Sequence, residues 1–384
     1  MVDSPLRRRF DIALIIAFAI AMAVPMLDMI FRFDPTPNTE MRALAPAPAF
    51  PTTLTQAKDY PAAFKLWIGD HFGLRNLMIH WHGIMKVEGF GVTSSDHAVL
   101  GKSETDAAGR EHQWLYYAAY GTMQYHLARK PFTPVELLQW QRVLEMRRDW
   151  LASRGCRYLF IIAPNAQTIY PEFLPDEWQR VGAKSRGDQL VAHLREHSTI
   201  EIVDMREAVA DYKMKHPQQR LYHRTDTHWN DVGAFAGYLA VAGRLKAMFA
   251  KVEPLSWDQF DITHRQTPGG DLAGVLGIRD HFTEDRIELV AKPPLKLKVL
   301  REEYDKSPHT TQAPGKGLPR LVMFRDSFGS FLKPYLAEHF DKAVFVWSDQ
   351  FHPEYVDQHQ PDVVITQMVE RFFWRDPPAA EKLP

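Results

Sequence analysis

Cysteine is almost absent from this sequence, and so is an excess of charge of either sign. Cys156 is the single cysteine among 384 residues, so no internal disulfide can form. It precedes an apolar run at residues 158–162, which predicts a small buried side chain without a catalytic role. The formal net charge is −1 and no RNA- or DNA-binding signature is present, which argues against a nucleic-acid partner. No nucleotide or coenzyme A motif appears either, so we expect no cofactor.

One long hydrophobic run is present, at the N-terminus. Three arginines at residues 7–9 precede an uncharged stretch at residues 12–27, and arginines in this place hold that end in the cytoplasm. The run is slightly long for a signal-peptide core and slightly short for a membrane span, although it reaches Phe31 if one aspartate is tolerated near the interface. We predict a cytoplasmic stub and an uncleaved signal anchor at residues 1–32, with a cleaved signal peptide as the alternative. A linker would follow at residues 33–60.

Strands alternate with helices along residues 61–384, which favours an α/β layer structure with a mainly parallel sheet. The clearest helix begins after Thr133, which forms a capping box with Glu136 and leads directly into a strand. Asn230 is predicted to cap a second helix. Residues 252–316 are less regular, and we predict an insertion there that is either part of a substrate rim or a plain surface excursion.

Chemistry is concentrated in two short motifs, Asp-Thr-His-Trp at residues 226–229 and Arg-Asp-Ser-Phe-Gly at residues 325–329. A serine hydroxyl is a weak nucleophile near neutral pH, so it needs a base within hydrogen-bond reach, and that base needs an acceptor to fix its tautomer. In an extended segment Asp226 and His228 would point to the same side. Each motif alone has a structural explanation, since aspartate and serine commonly cap helices. Together they predict a triad of Ser327, His228 and Asp226.

Ser327 is predicted to lie at a strand-to-helix turn, because residues 321–324 are apolar and a helical pattern begins near Phe328. A helix N-terminus offers free N–H groups to an oxyanion, and Gly329 would permit close backbone approach. A zinc site built on His223, Asp226 and His228 is the less favoured alternative, since a further fixed ligand is not evident. We therefore expect no metal.

With these motifs the chain resembles the alginate O-acetyltransferase family, SGNH-hydrolase-like periplasmic proteins that acetylate exported polysaccharides. The resemblance extends from about Thr39 to about Arg371. It includes a segment at residues 39–46, a first helix at 70–75, a strand at 114–117, and matches at 164–165 and 168–172, with Ala166 where a lysine is expected. It implies an SGNH-hydrolase-like three-layer sandwich. The serine strand follows the Asp/His segment, which is the reverse of an ordinary SGNH hydrolase, so the domain is expected to be circularly permuted.

The resemblance also implies an activity, namely acetyl transfer through an acetyl-Ser327 intermediate to hydroxyls of an exported polysaccharide, alginate-like or another exopolysaccharide. A membrane-embedded acyltransferase would supply the acetyl groups, and the body would lie in the periplasm, tethered to the inner membrane. An ordinary SGNH hydrolase carries an oxyanion-hole asparagine where this chain has Glu370 and Arg371. The candidates for the second oxyanion donor are therefore Asn165, Arg371 and Tyr335. The residues alone leave open a carbohydrate acetylesterase with the same triad and a non-catalytic glycan-binding or scaffold subunit of an export complex.

Overall fold

The structure is a computed structural model that describes residues 5–38, 43–106, 108–303, 307–313, 317–379 and 383, with side chains from residue 8 onward. Residues 39–42 of the segment matched at 39–46, and residues 304–306 and 314–316 of the predicted insertion, lie outside the described residues. The helices are α1 (Pro5–Phe31), α2 (Leu54–His71), α3 (Arg75–Ile84), α4 (Thr122–Leu127), α5 (Pro134–Ala152), α6 (Ala166–Ile169), α7 (Arg186–His197), α8 (Met205–Lys215), α9 (Asp231–Met248), α10 (Asp271–Val275), α11 (Gly329–Ala337) and α12 (Pro353–His359). The strands are β1 (Ala98–Thr105), β2 (Glu111–Tyr117), β3 (Arg157–Ala163), β4 (Glu201–Asp204), β5 (Phe260–Pro268), β6 (Thr283–Ala291), β7 (Lys298–Arg301), β8 (His309–Gln312), β9 (Arg320–Arg325), β10 (Lys342–Trp347) and β11 (Val363–Val369).

A seven-stranded sheet lies at the centre of the described structure, in the order β4-β3-β11-β9-β10-β8-β7. The first five strands are parallel, and β8 and β7 extend the sheet in antiparallel pairing. Parallel strands are covered on both faces, which is why β3 and β11 are apolar and buried along nearly their whole length. The serine strand β9 occupies the middle although it comes late in the chain. The predicted mainly parallel, circularly permuted sheet is confirmed.

Helices cover both faces of this sheet and complete three layers. On one face α8, α9 and α11 bury residues such as Val209, Phe235 and Leu332 against the strands. On the other face α5, α7 and α12 contribute a separate apolar cluster that includes Leu144 and Leu190. The sandwich is therefore built around two cores, one on each side of the sheet.

Several predicted elements are confirmed with their local causes. Thr133 accepts the N–H of Glu136 at 3.2 Å while the Glu136 carboxylate accepts the N–H of Thr133 at 2.7 Å, so α5 begins with the expected capping box. Asn230 caps α9 by accepting the N–H of Gly233 at 3.0 Å. The strand expected at residues 114–117 is the second half of β2.

Other predicted elements need correction. Residues 70–75 are not one helix, because Asp70 and His71 end α2, Arg75 begins α3, and residues 72–74 form an elbow in which Leu74 adopts a left-handed conformation with φ of 60°. Helix α2 begins at Leu54, inside the stretch predicted as linker, where Thr53 supplies an N-cap. The insertion is more than a surface excursion, since it forms the β5–β6 hairpin and α10 and adds β7 and β8 to the main sheet.

Candidate active site

Ser327 lies in the turn between β9 and α11, and the side chain of its neighbour Asp326 holds that turn in place. The buried Asp326 carboxylate accepts the N–H of Phe328 at 2.9 Å, the N–H of Val369 at 2.6 Å and the side-chain amide of Gln367 at 2.9 Å. Gln367 returns a bond, since its carbonyl oxygen accepts the N–H of Asp326 at 3.0 Å. The serine turn is thus fastened to the end of the neighbouring strand β11. The sequence offered no signal for Gln367.

Gly329 is required by this packing, because a Cβ at its position would lie 2.7 Å from the Gln367 side-chain oxygen and 2.7 Å from the Cβ of Arg325. Its predicted role was close approach of the backbone to a ligand. The structure shows in addition a close approach to β11. As the first residue of α11, Gly329 also keeps a backbone N–H for which the described residues provide no acceptor.

Asp226 and His228 lie in a succession of bends, so the predicted extended conformation is wrong. They nevertheless face the same way, because Asp226 Oδ1 accepts the backbone N–H of His228 at 3.0 Å and contacts the ring Nδ1 at 2.8 Å. The next residue, Trp229, is fully buried, and its indole N–H donates to the carbonyl of Phe328 at 3.3 Å. The two motifs are therefore joined directly, across 99 positions of sequence.

The structure brings Ser327, His228 and Asp226 into one chain of hydrogen bonds. His228 Nε2 lies 2.7 Å from Ser327 Oγ. Since the Asp226 carboxylate holds the proton on Nδ1, Nε2 is free to accept the serine proton. Burial would raise the pKa of Asp226, but the hydrogen bond and charge of His228 outweigh it and hold that pKa well below its usual range. Asp226 is therefore charged at neutral pH.

A second carboxylate, that of Asp271 in the insertion, lies beside the hydrogen-bonded Ser327, His228 and Asp226. Its Oδ1 accepts the backbone N–H of Thr227 at 2.7 Å, and its own N–H donates to Asp226 Oδ2 at 3.1 Å. Its Oδ2 lies 3.8 Å from His228 Nδ1. Burial and the nearby charge of Asp226 raise the pKa of Asp271. The only sequence signal for this residue was the Gly-Gly-Asp run at residues 269–271, which breaks the strand pattern of the insertion.

Two of the three candidates for a second oxyanion donor meet at the ends of adjacent parallel strands, β3 and β11. Arg371 Nη1 donates to Asn165 Oδ1 at 2.9 Å, and the guanidinium lies over the rings of Tyr117 at 4.8 Å and Phe328 at 5.1 Å. Glu370 is buried and accepts the N–H of Asn165 at 2.7 Å, which ties the two strand ends together. Phe328 is adjacent to Ser327, so Arg371 lies beside the serine turn.

Tyr335, the third candidate for the second oxyanion donor, does not lie with Asn165 and Arg371. Its ring packs against Phe235, Tyr238 and Phe260 in the aromatic core between α9 and α11, with centroid separations of 5.1, 5.6 and 5.7 Å. The hydroxyl is buried there, which raises its pKa. Because Tyr335 is a core residue, we do not retain it as an oxyanion donor.

Ligand types suited to a metal do meet in the site, but in a different set from the one weighed in the sequence. Potential ligand atoms of Asp226, His228 and Asp271 lie within 4.8 Å of one another. His223 is outside this group and is buried, which lowers its pKa. Since the three side chains already bond to one another or to Thr227, we assign no metal to them.

A large cavity of the described structure does not contain Ser327. It has a volume of about 670 Å³ and lies between the β1–β2 and β5–β6 hairpins, where its charged lining includes Glu104, Asp106, Arg220 and Arg224. A smaller cavity of about 350 Å³ reaches Asp226 and Gly270 from the insertion side. The serine is instead assigned by its hydrogen bonds, since volume alone does not identify chemistry.

A sequence-family model matches residues 108–299, half of the chain; it describes the SGNH hydrolase-like domain of the acetyltransferase AlgX. The chain belongs to this family. The matched region of this AlgX-like chain contains Asp226, His228 and Asp271, whereas Ser327 lies beyond it. No curated protein matches the chain.

Solved structures share the fold of this AlgX-like chain. Bacillus cereus PatB1 superposes with a TM-score of 0.53 at 13% identity, covering 73% of this chain and 100% of PatB1. A DHHW family protein from Eubacterium siraeum gives a TM-score of 0.53 at 14% identity, covering 74% of this chain and 94% of that protein. At such low identity these likenesses establish the fold alone.

Proposed function

We propose that this protein is a polysaccharide O-acetyltransferase that carries the acetyl group on Ser327. The observation that carries the proposal is the hydrogen-bonded chain from Ser327 Oγ through His228 to Asp226, in a member of an acetyltransferase family. A neutral imidazole that is oriented by a charged carboxylate and lies 2.7 Å from a serine hydroxyl is the arrangement that activates serine nucleophiles.

In the first half-reaction His228 Nε2 removes the proton of Ser327 Oγ as the oxygen attacks the acetyl carbonyl of the donor. The tetrahedral intermediate collapses when the imidazolium returns this proton to the leaving group, and acetyl-Ser327 remains. In the second half-reaction a sugar hydroxyl gives its proton to Nε2 and attacks the acetyl-serine. The imidazolium then returns this proton to Ser327 Oγ as the acyl bond breaks, which releases the O-acetylated sugar and free Ser327. The charge of Asp226 stabilises the imidazolium in both steps.

The negative charge on the tetrahedral oxygen needs donors that are already in place. The N–H of Gly329 at the start of α11 is one candidate. The guanidinium of Arg371 is the second, because it lies over the Phe328 ring beside Ser327 and is steadied by Asn165. A cation in this half-buried place stabilises an oxyanion more strongly than it would in water.

We further propose that the N-terminal helix stays attached as an anchor in the inner membrane, with the catalytic body in the periplasm. Residues Arg8–Phe31 form a helix long and apolar enough to span a bilayer. Its last turns pack on the elbow between α2 and α3, where the Asp28 carboxylate accepts the N–H of Leu74 at 2.7 Å. Cleavage would remove this support. A tethered active site suits a membrane-embedded acyltransferase as the source of acetyl groups.

The experiment is intact-mass analysis of the full-length protein after incubation with an activated acetyl ester, with and without oligosaccharides. The wild type is compared with Ser327→Ala and with Ser330→Ala, a control that removes a hydroxyl from the same turn. PatB1 has been solved with a sulfonyl adduct, so a sulfonyl fluoride is a useful second probe.

We expect an acetyl adduct on the wild type and on Ser330→Ala that passes to a sugar, and none on Ser327→Ala. Transfer to water alone, in the presence of every oligosaccharide tested, would instead identify an acetylesterase. Absence of any adduct or turnover would contradict the enzyme and favour a scaffold or glycan-binding subunit.

A further inference from the structure

Helix α2 makes almost no contribution to the core, since none of its 18 residues is buried. It nevertheless carries large apolar side chains, among them Phe64 and Leu66, and Leu66 exposes 66% of its surface. A helix of this length with no buried side chain is not held in place by apolar packing. Exposed apolar surface on this scale marks a contact with a membrane or another molecule.

Helix α3 has a covered face and an open face. On the covered face there is no room for a Cβ at Gly83, which would lie 2.5 Å from the carbonyl oxygen of Leu276, and His80 Nδ1 contacts the carbonyl of Gly277 at 3.0 Å. The open face shows a stripe of Met78 and Trp81 that continues to Met85, the first residue of the π-helical turn after α3, and these side chains expose 48%, 61% and 53% of their surfaces. Spacings of three and four residues place them on one side of the helix.

We name as the interfacial face the exposed apolar side chains of the elbow and of the open side of α3, namely Phe72, Met78, Trp81 and Met85. Because the insertion covers the opposite side of α3, the orientation of this face relative to the body is fixed.

The elbow at one end of this face is fastened to the last turns of the apolar helix α1. A Cβ at Gly73 would lie 1.9 Å from the carbonyl oxygen of Pro25, so the two backbones are in direct contact. The Asp28 carboxylate accepts the N–H of Leu74 and that of Asp34, each at 2.7 Å. The interfacial face is therefore continuous with the last turns of the predicted membrane span.

We propose that the interfacial face lies on the bilayer surface, with α3 running along the membrane plane and Met78, Trp81 and Met85 inserted among the lipid headgroups. This inference rests on the retained anchor of the proposed function. It adds a second membrane contact, which fixes the height and the orientation of the body.

The position of the elbow relative to the bilayer indicates that lipid covers the interfacial face. Helix α1 has an uncharged stretch of only ~24 Å, at residues 12–27 and ~1.5 Å per residue, so it can cross the ~30 Å hydrocarbon core only with Asp11 and Asp28 at the two headgroup layers. Its last turn, and with it Gly73 and Leu74, therefore lies among the headgroups. Tryptophan prefers that layer.

Apolar burial, with little help from charge, would drive this contact. The basic residues Lys58, Lys65 and Arg75 on α2 and α3 are nearly balanced by Asp59 and Asp70. We therefore expect the contact to persist when the salt concentration is raised, unlike the binding of a polybasic segment.

The geometry also suggests what the contact does. The covered face of α3 packs on Leu276 and Gly277, which directly follow the helix that carries Asp271. The Asp271 backbone in turn donates to Asp226. A body held on the bilayer by this face keeps Ser327 at a constant height, within reach of acetyl groups delivered from the membrane.

The test uses full-length protein in phosphatidylethanolamine and phosphatidylglycerol vesicles, with one fluorophore on an introduced cysteine. Met85→Cys and Met78→Cys report on the interfacial face, and Met214→Cys on α8 is the matched control, since Met214 exposes 74% of its surface. The native Cys156 is buried, which raises its pKa to about 12, so it will not compete for the label. Lipids with a spin label near the headgroup quench a fluorophore that contacts them.

We expect at least twofold quenching of the labels at positions 78 and 85, unchanged in high salt, and none at position 214. Vesicle flotation separates the possible failures. Protein that does not float with the vesicles would overturn the anchor and the inference together. Protein that floats with equal quenching at all three positions would overturn the inference alone, and so would labels that become shielded only when a membrane acyltransferase is added, which would identify a protein as the occupant.

Discussion

At the residue scale, two carboxylates lie beside the His228 imidazole, and their pKa values are shifted in opposite directions. Asp226 contacts His228 Nδ1 at 2.8 Å and its pKa is lowered by that contact. Asp271 stands 3.8 Å from the same nitrogen, and burial beside Asp226 raises its pKa. The first carboxylate fixes the tautomer, whereas the second chiefly fixes the loop that carries the imidazole.

Asparagine substitutions should therefore have very different effects on activity. Asp226→Asn removes the acceptor that keeps the proton on Nδ1, and we expect kcat for acetyl-ester turnover to fall by about 10³–10⁴-fold. Asp271→Asn retains an oxygen for the Thr227 N–H, so the expected fall is less than about tenfold. Steady-state kinetics of both variants at neutral pH decide this, and equal losses would contradict the assignment of separate roles.

The contributions of Asp226 and Asp271 to stability should depend on pH with opposite signs. The pKa of Asp271 is raised on folding, so its contribution to stability is fully present below about pH 3.9 and is lost as the pH rises through the folded value. The pKa of Asp226 is lowered, so its contribution is present above about pH 3.9 and disappears as the pH falls. At pH 7 we expect Asp271→Asn to raise the melting temperature and Asp226→Asn to lower it.

Melting curves of both variants and the wild type between pH 4.5 and pH 7.5 provide the measurement, in a range set by the ordinary aspartate pKa of ~3.9. The Asp271→Asn difference from the wild type should shrink toward the acid end of this range, whereas the Asp226→Asn difference should stay nearly constant, because the contribution of Asp226 is lost only below about pH 3.9. A difference for Asp271→Asn that is independent of pH would show that lost packing, and not charge, controls it.

The contact of Asp226, His228 and Ser327 was predictable because each occurs in a short motif whose chemistry is local. Asp226 and His228 are two positions apart, and Ser327 follows a strand and precedes a helix. Asp271 and Gln367 were not predictable. They meet the motifs from 45 and 41 positions away, and nothing in an isolated aspartate or glutamine indicates such a contact before the fold is known.

At the element scale, the insertion acts as the support for the Asp/His turn. Gly270 abuts Asp226 so closely that a Cβ would lie 2.5 Å from the Asp226 Cβ and 2.8 Å from its Oδ2. The Gly270 N–H also donates to Thr225 Oγ1 at 2.8 Å. The rim interpretation of the insertion is thus closer to the structure than a surface excursion.

Gly270→Ala should consequently damage both stability and catalysis. Forcing a methyl group into a filled space costs ~1–3 kcal/mol, and the atoms that must move belong to the acceptor of His228. The control is Gly243→Ala on α9, where a Cβ meets nothing within 4 Å. There we expect a gain of ~0.5–1 kcal/mol from reduced unfolded-state entropy, with kcat unchanged.

Urea unfolding and acetyl-ester turnover of the Gly270→Ala and Gly243→Ala variants test whether the insertion positions Asp226. A Gly270→Ala protein with wild-type kcat would mean that the insertion does not position Asp226, whatever its effect on stability.

The ends of helices were predictable where a capping side chain marks them in the sequence. The prediction was wrong where an unusual backbone conformation ends the helix. Thr133 and Asn230 begin their helices as expected because their side chains bond within three residues. The elbow at residues 72–74 was mistaken for part of one helix, since an aliphatic residue such as Leu74 seldom adopts positive φ. Packing on Pro25 and Asp28, far away in the chain, stabilises that conformation.

At the scale of the whole molecule, the elbow connects the span to the body. The coil after α1 leads to α2, and the docking of Gly73 on Pro25, together with the Asp28 bonds, restricts the position of α2 and α3 relative to α1, which would hold the body near the bilayer in the proposed anchored state. Chemistry at Ser327 on a soluble ester does not need this restraint. Delivery of acetyl groups from the membrane to a polymer does, if the site must stay at a constant height.

Gly73→Val separates these two requirements. Its side chain would enter the space of the Pro25 carbonyl and the Met29 N–H, and a cost of ~1–3 kcal/mol lowers the docking equilibrium constant by roughly 5- to 150-fold. Gly69→Val on α2 is the matched control, because nothing lies within 4 Å of its Cβ. In vesicles we expect faster proteolysis between α1 and α2 for Gly73→Val, unchanged turnover of a soluble acetyl ester, and weaker polysaccharide acetylation in cells. Parallel loss of soluble-ester turnover in Gly73→Val would mean that the elbow supports the fold of the active site itself and not its placement at the membrane.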